Sequence, residues 1–283
     1  MYQKKNSLLL RILLGIGIVI IVTGAFFPFF WVIITSFKLP KDALTPTWIP
    51  FLQFKPTLSN WYGELVERGR ELSIGLKNSL IISITTTVLS LLIGSLAGYA
   101  IARYEFKYYG RKNLIVFFLS LRMLPPVALV VPFLLMMKAY RMVDTQLSLI
   151  IANTTFNLPF AALILYGTFR EIPKAVEESA MIDGCSTAQI FLHVALPLAI
   201  SGIIAAGILC FVFTWNEYMF ALTLAYRRAV PITVQIVGTK NTQGIQFWIT
   251  SVRGLVAVIP PIIIALLAQR FLVKGLTFGA MKG

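Results

Sequence analysis

Between Arg11 and Lys38 no residue carries a charge, and the stretch is dominated by Ile, Val, Leu and Phe. A helix rises about 1.5 Å per residue and the hydrocarbon core of a bilayer is about 30 Å thick, so about 20 apolar residues cross it. Lipid offers no partner for a bare N–H or C=O, so an apolar run of this length folds as a helix. The first run, 12–37, is followed by comparable ones at 78–102, 113–137, 145–169, 197–225 and 250–272. The pattern predicts an all-α integral membrane protein with about six transmembrane helices. Arg122 interrupts the third run, Glu217 lies inside the fifth, and the sixth is the weakest, with an uncharged stretch of only 16 residues at 254–269.

Composition supports lipid as the main solvent. The chain is 58% hydrophobic and 13% charged, whereas a soluble domain is about one quarter charged. With no internal repeat and no break in composition, residues 1–283 read as a single membrane domain. The net charge of +14 comes from short Lys and Arg clusters between the apolar runs. These form no basic face of the kind nucleic acid requires, so they point to anionic headgroups instead. Lys4, Lys5 and Arg11 precede the first run as in a signal peptide. That run exceeds a signal core of about 7–15 residues and ends in aromatic residues, which predicts a retained first span. Cys185, Cys210 and His193 form no disulfide framework, metal-ligand spacing or catalytic constellation.

The polar connection before the fifth run carries the strongest local signals. Pro173 suits the first turn of a helix, and Gly184 suits the left-handed residue that ends one. Glu177 and Glu178 are expected to keep that helix wet on one side, opposite a narrow apolar side of Val176, Ala180 and Met181. Ser186 and Gln189 have capping-box spacing for a second helix that leads to Pro197. The expected form is helix, glycine elbow, helix, at the membrane surface.

Glu178-Ser179-Ala180, three residues, Gly184, nine residues, Val194, one residue and Leu196-Pro197 resemble the loop motif of binding-protein-dependent ATP-binding-cassette importer permeases. Every spacing agrees; Ser179 and Val194 replace the usual Ala and Ile. Asn78-Ser79-Leu80, Asp144-Thr145, Leu158-Pro159-Phe160 and Trp215-Asn216-Glu217 are similar to the carbohydrate-uptake branch. The segment 275–283 resembles the tail of the smaller of two permeases in maltose-type importers. The resemblance implies that Glu178, Ser179, Ala180, Asp183 and Gly184 form a cytoplasmic coupling helix docking on an ATPase subunit. It implies that Thr277, Gly279 and Lys282 reach that ATPase through the tail. It also implies a second permease subunit, two ATPase subunits, an extracytoplasmic solute-binding protein and a sugar, oligosaccharide or polyol as cargo. Lys and Arg divide evenly between the two sides, so the loop decides the orientation: both termini are expected in the cytoplasm, with the chain multi-pass in the cell (inner) membrane.

No phosphate-cradling G-x-x-x-x-G-K-[ST] occurs. The chain is therefore expected to be no enzyme and to bind no cofactor, with ATP and Mg held by the partner ATPase. Polar residues inside the runs are the candidates for a solute path: Asn153, Thr154, Asn157, Trp215, Asn216 and Arg122. A secondary transporter or channel for a polar solute is the alternative that the residues alone leave open.

Overall fold

The computed structural model describes residues 8–238, 240–241 and 244–280; side chains are described within 10–238, except Arg11, and within 244–269, except Ala268. In chain order the longer elements are α1 (Leu8–Ser36), α2 (Gly69–Arg103), α3 (Gly110–Met123), α4 (Pro126–Ala139), α5 (Gln146–Glu171), α6 (Lys174–Ile182), α7 (Ile200–Trp215), α8 (Met219–Leu224) and α9 (Phe247–Ala280). A two-residue antiparallel hairpin pairs Lys240 with Ile245 and Asn241 with Gly244. Among the described residues four helices are long and apolar enough to cross a membrane, or six if each of two bent pairs is one span. The chain is an all-α membrane protein.

Two of the expected spans are broken. The third run bends by 85° between α3 and α4, because Leu124 and Pro125 are extended and Pro126 starts the next helix. Proline removes a donor and disfavours helix at the residue before it. The fifth run enters through Thr187–Ile190, a π turn at Phe191–Ala195 and Leu196–Leu198, then bends by 76° into α7. It stops at Trp215 rather than near residue 225, and α8 begins after a gap at 216–218. Glu217 explains the gap: its carboxylate accepts the backbone N–H of Phe220 at 2.7 Å and of Ala221 at 3.1 Å, so it caps α8.

The chain divides into two compact units, Met1–Leu72 with Ile236–Val256, and Ser73–Gln235 with Ala257–Gly283. In the first, α1 buries only its last turn, Ile34, Thr35 and Ser36, among the described residues; Ile21 is 72% exposed, as a lipid-facing residue should be. Its C-terminal carbonyls are held by Asn60, whose Nδ2 donates to Ser36 O and Lys38 O at 2.9 and 2.8 Å. Lys38 is buried, donates to Thr47 O at 2.6 Å and lies 4.4 Å from the Trp31 ring centroid. Glu64 and Arg253, both buried, pair at 2.6 Å.

In the second unit, α2 and α5 touch through glycine. A Cβ on Gly98 would stand 2.7 Å from Tyr166 N and 2.8 Å from Ala162 O, and one on Gly94 2.9 Å from the Ala161 Cβ. Gly94 and Gly98 have the G-x-x-x-G spacing that lets helix backbones approach in lipid. A second knot forms at 226–232. Asp144 accepts from the backbone N–H groups of Tyr226, Arg227, Arg228 and Ala229 at 3.0–3.3 Å. Asn78 Nδ2 donates to Arg228 O and Val230 O at 3.0 Å, and Ser79 Oγ accepts from Ile232 N at 2.9 Å. Burial pushes the Asp144 carboxyl up, but these N–H donors outweigh it and hold the group below the usual Asp range.

Gly98→Leu is expected to destabilise the α2–α5 contact by at least roughly 1–3 kcal/mol, read as a lower melting temperature in detergent or nanodiscs. Asp144 has a depressed folded pKa, so its stabilisation is complete above the ordinary Asp value of about 3.9 and is lost as pH falls through the folded value. Asp144→Asn is therefore expected to cost roughly 1.5–3 kcal/mol at neutral pH. The difference from wild type should shrink below about pH 4, as melting curves across pH will show.

Candidate functional site

The surface helix α6 is built around one buried carboxylate. Glu177, 3% exposed, accepts Arg103 Nε at 2.8 Å, Arg103 Nη2 at 2.7 Å and the Tyr99 hydroxyl at 2.9 Å. Arg103 Nη2 also donates to Ile172 O at 3.1 Å. Tyr99 packs against Phe169 and Phe191, centroids 5.3 and 5.0 Å away, so aromatic rings wall the pair from water. The ion pair ties α6 to the C-terminal turn of α2 while its charges satisfy one another.

This inverts the expected faces of α6. Glu177 does not keep the helix wet; it is the residue that anchors it. Val176 and Met181 do not form an inner apolar side: they are exposed, and Ile182 is 88% exposed. Charge on Arg103 decides the orientation, since a carboxylate that finds a guanidinium and a hydroxyl gains more than an exposed methyl loses. Glu178, Ser179, Asp183 and Gly184 are all exposed, and Ala180 is half-buried. Gly184 has φ +85°, the left-handed region anticipated for the elbow. The capping box is present, with Ser186 N donating to Gln189 Oε1 at 2.8 Å and Gln189 N donating to Ser186 Oγ at 3.4 Å.

The intramembrane polar residues divide. Arg122, Asn153 and Asn157 line one cavity of about 160 Å³, together with Phe156, Phe213, Glu217 and Phe220. Asn157 Nδ2 donates to Thr214 Oγ1 at 2.8 Å, joining α5 to α7, and Asn153 Nδ2 donates to Leu149 O at 2.9 Å. Arg122 Cζ lies 5.0 Å from the Phe160 centroid and 4.6 Å from that of Phe213, within cation–π range. Thr154, Trp215 and Asn216 lie elsewhere. Thr154 faces an apolar groove beside Leu158 and Phe117. Trp215 is buried, with Nε1 donating to Ala257 O at 3.2 Å, and Asn216 is exposed and bonds back to Val212 O. The aromatic residues of the cavity were missed because a Phe in an apolar run has no distinguishing pattern. Their proximity to Pro125-Pro126 and Glu217, which interrupt two runs, was the available signal. Of the tail residues, Lys282 and the side chain of Thr277 lie outside the described residues, as does the surrounding of Gly279.

Glu177→Ala and Arg103→Ala are each expected to destabilise by roughly 3–5 kcal/mol, because each leaves a buried charge alone. The double variant should lose less than the sum, by roughly 0.5–3 kcal/mol. A double-mutant cycle of thermal unfolding measures this, and strict additivity would count against the pair as the anchor.

Comparison with known proteins agrees with this architecture. Residues 90–278 match the family described as binding-protein-dependent transport system inner membrane component. The trehalose/maltose transport system permease protein MalG of Thermococcus litoralis is 35% identical over 283 residues, covering 99% of each chain. The trehalose transport system permease protein SugB of Mycobacterium tuberculosis is 35% identical over 270 residues, covering 90% of this chain and 97% of that one. Among solved structures, a bacterial ABC transporter involved in import of the acidic polysaccharide alginate superposes with a TM-score of 0.76 at 19% identity. It covers 96% of this chain and 99% of the matched one, which shows the shared fold. With a full-length match to such permeases and the surface helix and broken spans in place, the chain belongs to the binding-protein-dependent transport system inner membrane components, the permease family of ABC importers.

Proposed function

We propose that this chain is one of two permease subunits of an ATP-driven importer for a sugar, oligosaccharide or polyol, working by alternating access. The cargo class is supported by full-length relatives named for trehalose and maltose transport. The observation that carries the mechanism is α6, anchored from within by Glu177 and presenting an outward face of Glu178, Ser179, Asp183 and the Gly184 elbow. A short surface helix held rigidly to the end of a long membrane helix can pass on a push from a docked partner.

In this reading the outward face, including Ala180, docks on a separate ATPase subunit. Two such subunits hold ATP and Mg, and this chain has no ATPase site of its own. The docking side is cytoplasmic, which places both termini there, and Thr277, Gly279 and Lys282 extend to the ATPase. An extracytoplasmic binding protein delivers solute to the other side. Closure of the ATPases moves α6, and the Arg103–Glu177 pair carries that movement into α2. The solute passes the polar residues of the membrane core, with Arg122, Asn153 and Asn157 the members of the expected set that share a cavity.

Gly184→Val tests the coupling. A β-branched residue is strained at φ +85°, so the elbow must shift while the spans stay intact. The complex with its ATPases and second permease is expected to assemble in the membrane and to lose at least roughly tenfold in uptake, about 1.4 kcal/mol of coupling. Wild-type uptake by this variant in proteoliposomes would sink the assignment of the elbow.

A further inference from the structure

We infer that the cavity where the α3–α4 and α7–α8 breaks meet is a contact site for one sugar ring on this chain, with Phe213 and Phe156 as the stacking surface and Asn153 as a hydroxyl partner. The inference rests on the sugar-importer reading and gives it a location. Two of the three interruptions of the membrane helices meet here: Arg122 and Pro126 bracket the α3–α4 break, while Phe213, Glu217 and Phe220 bracket the α7–α8 break. Backbone without helical hydrogen bonds is tolerated at membrane depth only against protein or beside a polar cavity. Discontinuous helices are also where transporters place solute.

The lining has two chemistries. Phe156, Phe213 and Phe220 give flat apolar faces, with Phe156 and Phe220 centroids 5.2 Å apart. A pyranose has the complementary form, an apolar C–H face and a rim of hydroxyls. The rim needs donors and acceptors, and Asn153, Asn157 and Arg122 provide amides and a guanidinium. Among the described residues no carboxylate lies within ion-pair distance of Arg122, so its charge is met only by the faces of Phe160 and Phe213. A buried recess of about 10 Å³, lined by Ser83, Thr214, Asn153 and Glu217, shares the last two residues with the cavity. That is about the volume one water-sized group occupies, so it suits a single hydroxyl. Ser83 Oγ is buried there with no partner among the described residues.

Size sets the stoichiometry. Ligand pockets usually run to about 300–1,000 Å³, and this cavity is about 160 Å³. It holds one ring of a larger solute, with the remaining contacts falling to the second permease. A long alkyl chain fits this lining poorly, since it offers no hydrogen bond to the amides of Asn153 and Asn157 or to the Arg122 guanidinium.

The test uses the complete complex, both permeases, ATPases and binding protein, in proteoliposomes with radiolabelled trehalose, maltose and diacetylchitobiose. Sugar moved per ATP hydrolysed is measured for wild type, Phe213→Leu, Asn153→Leu and the control Phe117→Leu, an aromatic outside the cavity. The expected result is a ratio at least fivefold lower for the two cavity variants and a wild-type ratio for the control. Cavity variants that keep the wild-type ratio, in a complex that does move sugar, overturn the inference and leave the importer reading standing. A wild-type complex that moves none of the three sugars on ATP overturns both. Phe213 is 39% exposed and Leu keeps its apolar character, so should Asn153→Leu fail to assemble, Phe213→Leu decides alone.

Discussion

In the hydrocarbon of a bilayer a polar group has only protein to pair with, and this chain is organised around that scarcity. Four of its membrane hydroxyls bond back along their own helices: Thr87 to Ser83 O, Thr155 to Ile151 O, Thr168 to Ile164 O, and Thr214 to Cys210 O, all at 2.7–3.1 Å. Such bonds cost little and leave the helix surface apolar. Where the backbone itself departs from helix, side chains take over. Glu217 accepts the N–H groups of Phe220 and Ala221, so two of the donors opened by the α7–α8 break are paired. The breaks are thus places where polar residues are required, and that requirement gathers polar residues into one cavity.

Charge follows the same logic at the ends of the spans. A lone ion near lipid is costly, so buried charges are met by backbone groups, as at Lys38 and Asp144, or by an opposite charge. Glu64 with Arg253 and Glu177 with Arg103 are matched, in one unit each. The second pair has a consequence the first lacks, since it fastens a nine-residue surface helix to a 35-residue membrane helix. Aromatic packing around Tyr99 then makes the junction stiff as well as strong. A surface helix fastened by backbone continuity alone could tilt without moving α2; one fastened through Arg103 cannot.

The sequence made the long elements legible, because an uncharged run and a helix are nearly the same statement in lipid. Residues 12–37 and 145–169 became α1 and α5 within a few residues. The elbow at Gly184 and the Ser186–Gln189 box were readable because caps depend on neighbours three residues away. What escaped depends on distant partners. Hydropathy is blind to the 85° bend after Met123, since Leu124, Pro125 and Pro126 are as apolar as the helices they separate. The burial of Glu177 turns on Arg103, 74 residues earlier. The cavity needs α3, α5, α7 and α8 together, and only its polar members left a mark in the sequence. Asn78, Ser79 and Asp144 stood out as a pattern, yet their common role, holding 226–232, exists only in three dimensions.

Two adjacent carboxylates on α6 combine local pattern and distant pairing. Neighbouring residues on a helix lie about 100° apart, so Glu177 and Glu178 cannot share an environment. Glu177 points to Arg103 and is buried; Glu178 is left exposed. A single glutamate could serve either as anchor or as outward contact. The doublet serves as both: the pair with Arg103 sets the rotation of α6 about its own axis, and Glu178, about 100° further round, then faces outward. The orientation of the outward face is therefore set by the residue facing in. For the same reason the rotation of α6 cannot change freely under load, and force applied at Glu178 reaches Arg103 along a path one helical step long.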